Sequence, residues 1–400
     1  MSTRAKSLLL FALLSALSYL LLHPPFHPAD AAGRTALLVT QQFPSEAGMV
    51  TVEPAAHGLQ HPWSLAFLPD GRMLVTERPG RLRVVSTKGE IGPAISGLPE
   101  ILAKGQGGLL DVILATDYAE SGVIFFSYGE PRHGGNGTAV ARARLLLKGD
   151  SGALDQLQVI FRQQPTIESG VHFGSRLVLA RDGTLFVTLG DRGSQREPAP
   201  RSDNHLGKIV RIHTDGRVPA DNPYLQVAGA RPELWSVGHR NVQGAALHPV
   251  TGALWTTEHG AQGGDELNAP MAGRDYGWPI ITYGIDYSGK KIGEGITEKA
   301  GLEQPLWHWT PSIAPSGLAF YNSDRFPAWR GNLFAGSLKF GLLVRLTLDG
   351  EKVLHEERLL TGLGQRIRDV RSGPDGALYL LTDAFDGSIL RVTLAAKPVS

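Results

Sequence analysis

The chain has 400 residues, 42% of them hydrophobic, and a formal net charge of +1. That length and apolar content suffice for a large buried core, and the near-zero charge gives no electrostatic bias toward nucleic acid. Cysteine is absent, which removes disulfides, thiolate metal sites and thiol nucleophiles together.

The first element is a leader. Arg4 and Lys6 precede an apolar run from Leu8 to Leu22, and Ala29-Asp30-Ala31 offers a small-residue cleavage site. The pattern predicts a secretory signal peptide over residues 1–31, and with it a periplasmic or secreted protein. The run is short for a membrane span, so no stable membrane insertion is expected once the leader is cut; an uncleaved anchor is the alternative. Residues 32–400 are then expected to form a single domain.

Past the leader one phrase recurs six times: a short apolar strand, a turn ending in glycine, and a second apolar strand. The copies turn at Asp70-Gly71, Ser121-Gly122, Asp182-Gly183, Thr251-Gly252, Arg330-Gly331 and Asp375-Gly376. Most are followed by further alternating strands, such as Leu82-Arg-Val-Val and Ile389-Leu-Arg-Val. Four strands per unit and six units predict an all-β fold, a six-bladed β-propeller of four-stranded antiparallel blades. A β-sandwich would not repeat the same phrase at this spacing.

The repeat also predicts where polar residues gather. In a hairpin the start of the first strand and the end of the second lie at one end, opposite the turn. Gln106, His172, Arg240 with Asn241, and Arg366 with Arg368 all precede a first strand, while Glu258 with His259, Lys339 and Asp383 follow a second. Stacked as blades, these residues converge on one face near the axis.

Each candidate has a functional and a structural reading. His172, in Ser169-Gly-Val-His-Phe-Gly-Ser-Arg176, is either a general base near neutral pH or a hydrogen-bonded histidine closing a blade. Arg240, Lys339, Arg366 and Arg368 are solvated surface cations if taken singly. Together on one face they suit a small acidic ligand or cofactor, because arginine grips a planar carboxylate through two bonds. The loop Glu258 to Glu266 offers oxygen donors with one histidine and no thiol, which suits calcium. EF-hand spacing, His-Glu-x-x-His and Gly-x-Ser-x-Gly are all missing from the chain.

Several segments resemble the soluble aldose sugar dehydrogenases that depend on pyrroloquinoline quinone (PQQ), within the glucose/sorbosone dehydrogenase family. They are Val171-His172-Phe-Gly, Gly238-His-Arg-Asn241, Glu258-His-Gly-Ala-Gln-Gly-Gly-Asp-Glu-Leu-Asn268, Tyr276-Gly-Trp-Pro279 and Gly364-Gln-Arg-Ile-Arg-Asp-Val370. The resemblance runs from about Gly58 to Val392 and implies a six-bladed propeller. It implies that His172 removes the proton of the sugar C1 hydroxyl while hydride passes to the quinone, giving a lactone, with Arg240 and Asn241 polarising the quinone carbonyls. It further implies that Gln106 and His259 hold cofactor or substrate, and that Lys339, Arg366 and Arg368 take the cofactor carboxylates. The Gly260 and Ala261 carbonyls would hold one calcium and Glu266 with Tyr276 a second. Partners would be an aldose and an external electron acceptor, with the chain a monomer or homodimer.

The chain departs from that pattern at Ala261 and Val242, where proline is usual, and at Ser175, where glycine is common. The lack of a long insertion to wall a glucose pocket favours broad aldose acceptance. Two rival readings of the same architecture are a calcium-dependent lactonase and a non-enzymatic carbohydrate-binding propeller.

Overall fold

The computed structural model describes residues 37–394, so the leader expected over 1–31 lies outside the described residues. The expected propeller is present, in six antiparallel sheets. The first four blades run, from inner to outer strand, Pro62–Phe67 to Ile91–Ala94, Leu109–Leu114 to Ser151–Arg162, Leu177–Leu179 to Leu234–Ser236, and Val242–Leu247 to Trp307–Trp309. The fifth runs Pro315–Phe320 to Lys352–Leu359. In the sixth, Ile367–Ser372, Leu378–Thr382 and Gly387–Leu394 come from the end of the chain and Gly48–Leu59 from its beginning. A fifth strand, Gln41–Ser45, lies outermost there, so this blade exceeds the expected four.

Local chemistry accounts for the repeated hairpins. Gly71, Gly122, Gly183, Gly252, Gly331 and Gly376 all have positive φ, which glycine adopts without steric cost. Where an aspartate precedes the glycine it closes the turn on the next strand: Asp182 Oδ1 accepts from the Thr184 N–H (2.9 Å) and Asp375 Oδ1 from the Ala377 N–H (3.1 Å).

Register sets the ends. Pro62 pairs with Glu77, Val242 with Glu258 and Ile367 with Thr382, so the start of each inner strand lies beside the end of its neighbour. The hydrophobic core is divided into wedges between neighbouring blades. Leu74, Val84, Leu109, Phe126 and Tyr128 join the first blade to the second, and Trp255, Leu267, Leu318, Leu333 and Val344 join the fourth to the fifth. Each fully buried leucine or valine contributes about 1.5–3 kcal/mol. Closure comes from Val52 opposite Val392 and Leu59 opposite Gly387, which ties the two described chain ends into one sheet and covers the outward edge of Gly387–Leu394.

Candidate active site

His172 stands just ahead of the third inner strand with φ +52, a left-handed conformation that a non-glycine residue holds only when its surroundings enforce it. Two neighbours do so. Its N–H donates to Gln106 Oε1 (2.8 Å). Gly190 packs against its carbonyl so closely that an added Cβ would lie 2.2 Å from the oxygen. The ring is aimed by Asp191, whose Oδ1 lies 2.6 Å from Nδ1. Asp191 is fully buried and also accepts from the Gly193 N–H (2.7 Å) and the Trp278 indole N–H (2.8 Å).

Burial opposes ionisation of Asp191 and is the largest single effect, but the hydrogen bond from His172, the charges of His172 and Arg240 and the Gly193 N–H together outweigh it and hold the carboxyl below its usual 3.8. A carboxylate only accepts, so the proton of a neutral His172 sits on Nδ1 and Nε2 keeps its lone pair. Burial also lowers the imidazole below its ordinary 6.5; Asp191 offsets part of this and the charge of Arg240 adds to it. The result is a neutral base at physiological pH.

Arg240 and Asn241 enter at the start of the fourth inner strand. The Arg240 N–H donates to Glu258 Oε2 (2.7 Å), and its guanidinium lies 5.2 Å from the Trp278 ring centre. Nη1 donates to the His259 carbonyl (3.1 Å) and, by a shorter bond, to the Gly260 carbonyl. Asn241 Oδ1 accepts from the Gly174 N–H (3.1 Å). That leaves Arg240 Nε and Asn241 Nδ2 buried with no protein acceptor. An unmet buried donor costs about 1–3 kcal/mol, so the pair fits a ligand that brings carbonyl or carboxylate oxygens.

Arg366 and Arg368 form a cluster, while the Lys339 ammonium lies over the Phe340 ring (5.4 Å). Asp383 Oδ2 receives both Arg368 (3.2 Å) and Arg366 (3.3 Å), while Oδ1 faces His61 Nδ1 (2.8 Å) and Arg78 (3.9 Å). Arg368 is buried and donates also to Gln243 Oε1 (2.7 Å); Arg366 and Lys339 are exposed. Three guanidiniums share one carboxylate, which leaves net positive charge for an acidic ligand. His259 is near this cluster. Its Nε2 lies 2.7 Å from the Pro315 carbonyl, and burial with the charges of Arg240 and Arg368 lowers its pKa to about 3. Beneath the site Arg176 bonds Asp369 Oδ1 (2.9 Å), and Arg371 bonds Asp111 Oδ1 (2.8 Å) and Asp369 Oδ2 (2.8 Å). Arg176, Asp111 and Asp369 are buried and Arg371 is half-buried; with Trp63 over Arg176 (4.2 Å) they form a charged floor.

The expected calcium loop is partly a strand. Asp265–Asn268 is the third strand of its blade, which places Glu266 directly opposite Glu258. Its acids and glycines hide that strand from a reading by hydrophobic pattern. Asn268 Nδ2 donates to Glu258 Oε1 (3.0 Å) and Glu266 Oε2 (3.1 Å), and its own Oδ1 is buried without a partner. Burial, with the charge of Glu258, pushes the Glu266 carboxyl up to about 8. Two facing carboxyls and an unmet amide oxygen suit a hard cation. Among the described residues no three His, Cys, Asp or Glu side chains gather as a metal-holding group, so a cation here needs backbone carbonyls as well. The Tyr276 ring stacks on His239 (4.9 Å), and its hydroxyl donates to the Ala269 carbonyl (2.8 Å) and accepts from the Met271 N–H (3.0 Å). That hydroxyl is engaged, which leaves the Tyr276 carbonyl as its available donor. The Gly260 carbonyl already receives Arg240, while Ala261 lies in the tight turn that brings it opposite Gly263.

Sequence reasoning missed Asp191, Arg78 and His61, although the repeat marked them. Asp191 follows the second strand Thr184–Thr188 and Arg78 follows Met73–Glu77, while His61 precedes Pro62–Phe67. These are the two positions that converge in every blade.

A family model for glucose/sorbosone dehydrogenase matches residues 59–391. An aldose sugar dehydrogenase of Escherichia coli K12 is 48% identical over 347 residues, covering 86% of this chain and 93% of that protein. The crystal structure of a soluble aldose sugar dehydrogenase from E. coli in its apo form superposes with a TM-score of 0.83 at 47% identity, covering 86% of this chain and all of that one. A PQQ-bound aldose sugar dehydrogenase from Streptomyces coelicolor gives a TM-score of 0.70 at 28% identity, with 86% and 98% covered.

Proposed function

The chain belongs to the glucose/sorbosone dehydrogenase family and is an oxidoreductase of the sugar dehydrogenase type; from that premise we propose that it oxidises aldoses at C1 to lactones with PQQ and calcium, passing the electrons to an external acceptor. The observation that carries this reading is a neutral, oriented histidine beside two unmet buried donors and a cluster with surplus positive charge. No side chain accepts a hydride, and PQQ, when bound, supplies an ortho-quinone that does.

Arg366, Arg368 and Lys339 would hold the carboxylates of the cofactor, and Arg240 with Asn241 its carbonyl oxygens. Gln106 would line the substrate side, where its carbonyl already fixes the His172 backbone. His172 Nε2 takes the proton of the C1 hydroxyl, so that the C1 hydrogen leaves with its electron pair as a carbonyl forms. Asp191 stabilises the imidazolium that results. The Gly260 and Ala261 carbonyls would hold a calcium at the cofactor, and Glu266 with the Tyr276 carbonyl a structural one. Export of the mature chain belongs to the same proposal. No helix among the described residues is long and apolar enough to cross a membrane.

The test is to load the purified mature chain with PQQ and calcium and follow dye reduction over a panel of aldoses. Reduction by several aldoses supports the proposal. Failure of every sugar, together with hydrolysis of a lactone in the absence of the quinone, would replace it with the lactonase.

A further inference from the structure

We propose that the chain carries a second ligand site, a cationic cavity outside the cofactor cluster that binds a small, multiply charged oxyanion such as phosphate or a di- or tricarboxylate. The cavity has a volume of about 720 Å³ and is lined by Arg132, Arg162, Arg201 and Arg231. Its other walls come from segments 164–166 and 195–206, which continue from the loops that carry His172 and Asp191.

Two carboxylates serve these four guanidiniums. Glu130 takes Arg132 (3.1 Å) and Arg162 (2.9 Å), and Asp203 takes Arg201. Arg231 has no carboxylate within 4 Å among the described residues and spends one N–H on the Asp203 backbone carbonyl (3.2 Å). A second observation lies in the floor. Lys208 is fully buried with Nζ on the carbonyls of Leu206 (2.6 Å), Ala199 (2.7 Å) and Pro198 (3.1 Å), and no carboxylate stands within 4 Å of it among the described residues. Pro198 and Leu206 also line the cavity, so two of the carbonyls that hold the ammonium belong to residues of its wall. Burial lowers its pKa to about 7. Lys208 has opposite charge only at a distance, from Asp203 and Asp275, and an oxyanion in the cavity would add to it. Planar guanidiniums match such oxygens through paired bonds, and a walled cavity concentrates their field.

The probes are inorganic phosphate and citrate, titrated separately into the chain without cofactor at matched ionic strength, with sodium chloride as control, and read by calorimetry and thermal unfolding. Saturable one-to-one binding is expected for at least one probe. It should weaken at least about tenfold in the double variant Arg201→Gln/Arg231→Gln and persist in Arg366→Gln, which alters the cofactor cluster instead. Whichever probe binds identifies the oxyanion as phosphate-like or carboxylate-like. The proposal is overturned by no saturable response up to about 10 mM, by a response that chloride reproduces, by equal binding in the double variant, or by loss in Arg366→Gln. Since binding is read without sugar or quinone, the outcome is independent of the dehydrogenase reading.

Discussion

Asp191→Asn isolates the aiming of the base. Three donors or donor-capable atoms face this carboxylate: His172 and Gly193 at Oδ1 and Trp278 at Oδ2. An amide has one oxygen, so its NH2 must meet either the Trp278 N–H or His172 Nδ1. The first leaves two donors face to face, costing about 1–3 kcal/mol. The second moves the imidazole proton to Nε2 and abolishes the base. Either way the imidazolium loses a charge-assisted bond worth about 1.5–3 kcal/mol. The combined loss, about 3–5 kcal/mol, predicts turnover lower by about 10²- to 10⁴-fold with cofactor absorbance retained.

The pH profile adds a signed readout. The Asp191 carboxylate raises the proton affinity of His172 against the effect of burial. Its removal lowers the folded pKa further, so the ascending limb of kcat/KM moves to lower pH while the plateau falls. The assay is dye-coupled aldose oxidation from pH 4 to 9, with KM and kcat resolved. Turnover within about threefold of the parent, or a limb displaced toward alkaline pH, would refute the aiming role.

Gly190→Ala puts a methyl 2.2 Å from the His172 carbonyl oxygen; it should cost about 1–3 kcal/mol in urea unfolding and lower kcat, and unchanged values would show that the close approach does not matter. Arg368→Glu reverses a charge already beside Asp383, so fluorescence titration should show PQQ affinity reduced at least about tenfold, whereas unaltered affinity would remove the cationic cluster from cofactor binding. Calcium should raise the Tm of the parent more than that of Glu266→Gln, which loses the site where Glu266 faces Glu258 and keeps the Gly260–Ala261 carbonyls; an equal shift in both would place the structural ion elsewhere.

The propeller was legible because its signal is local. Asp-Gly turns recur between apolar strands, and their side-chain and glycine chemistry acts within four residues. The nearness of His172, Arg240 and Arg368 was legible too, because hairpin geometry alone puts their positions at one end. The closing strand Gly48–Leu59 was not, since its partner Gly387–Leu394 lies at the other end of the chain and no local pattern links them. Asp265–Asn268 was read as loop because two acids displace the apolar alternation that marks a strand. Asp191 escaped for another reason. The repeat marks its position, after a second strand, but its role rests on a hydrogen bond to His172 from the preceding connection, and spacing does not name the partner.

The central claim is that His172 is the base of a quinone-dependent sugar oxidation. Its most direct measurement mixes excess aldose with PQQ-loaded protein in the absence of dye and follows the cofactor absorbance through a single turnover. The parent should reduce its cofactor, while His172→Ala should bind PQQ with similar affinity and reduce it at least about 10²-fold more slowly. Equal reduction rates in the two proteins would contradict the account.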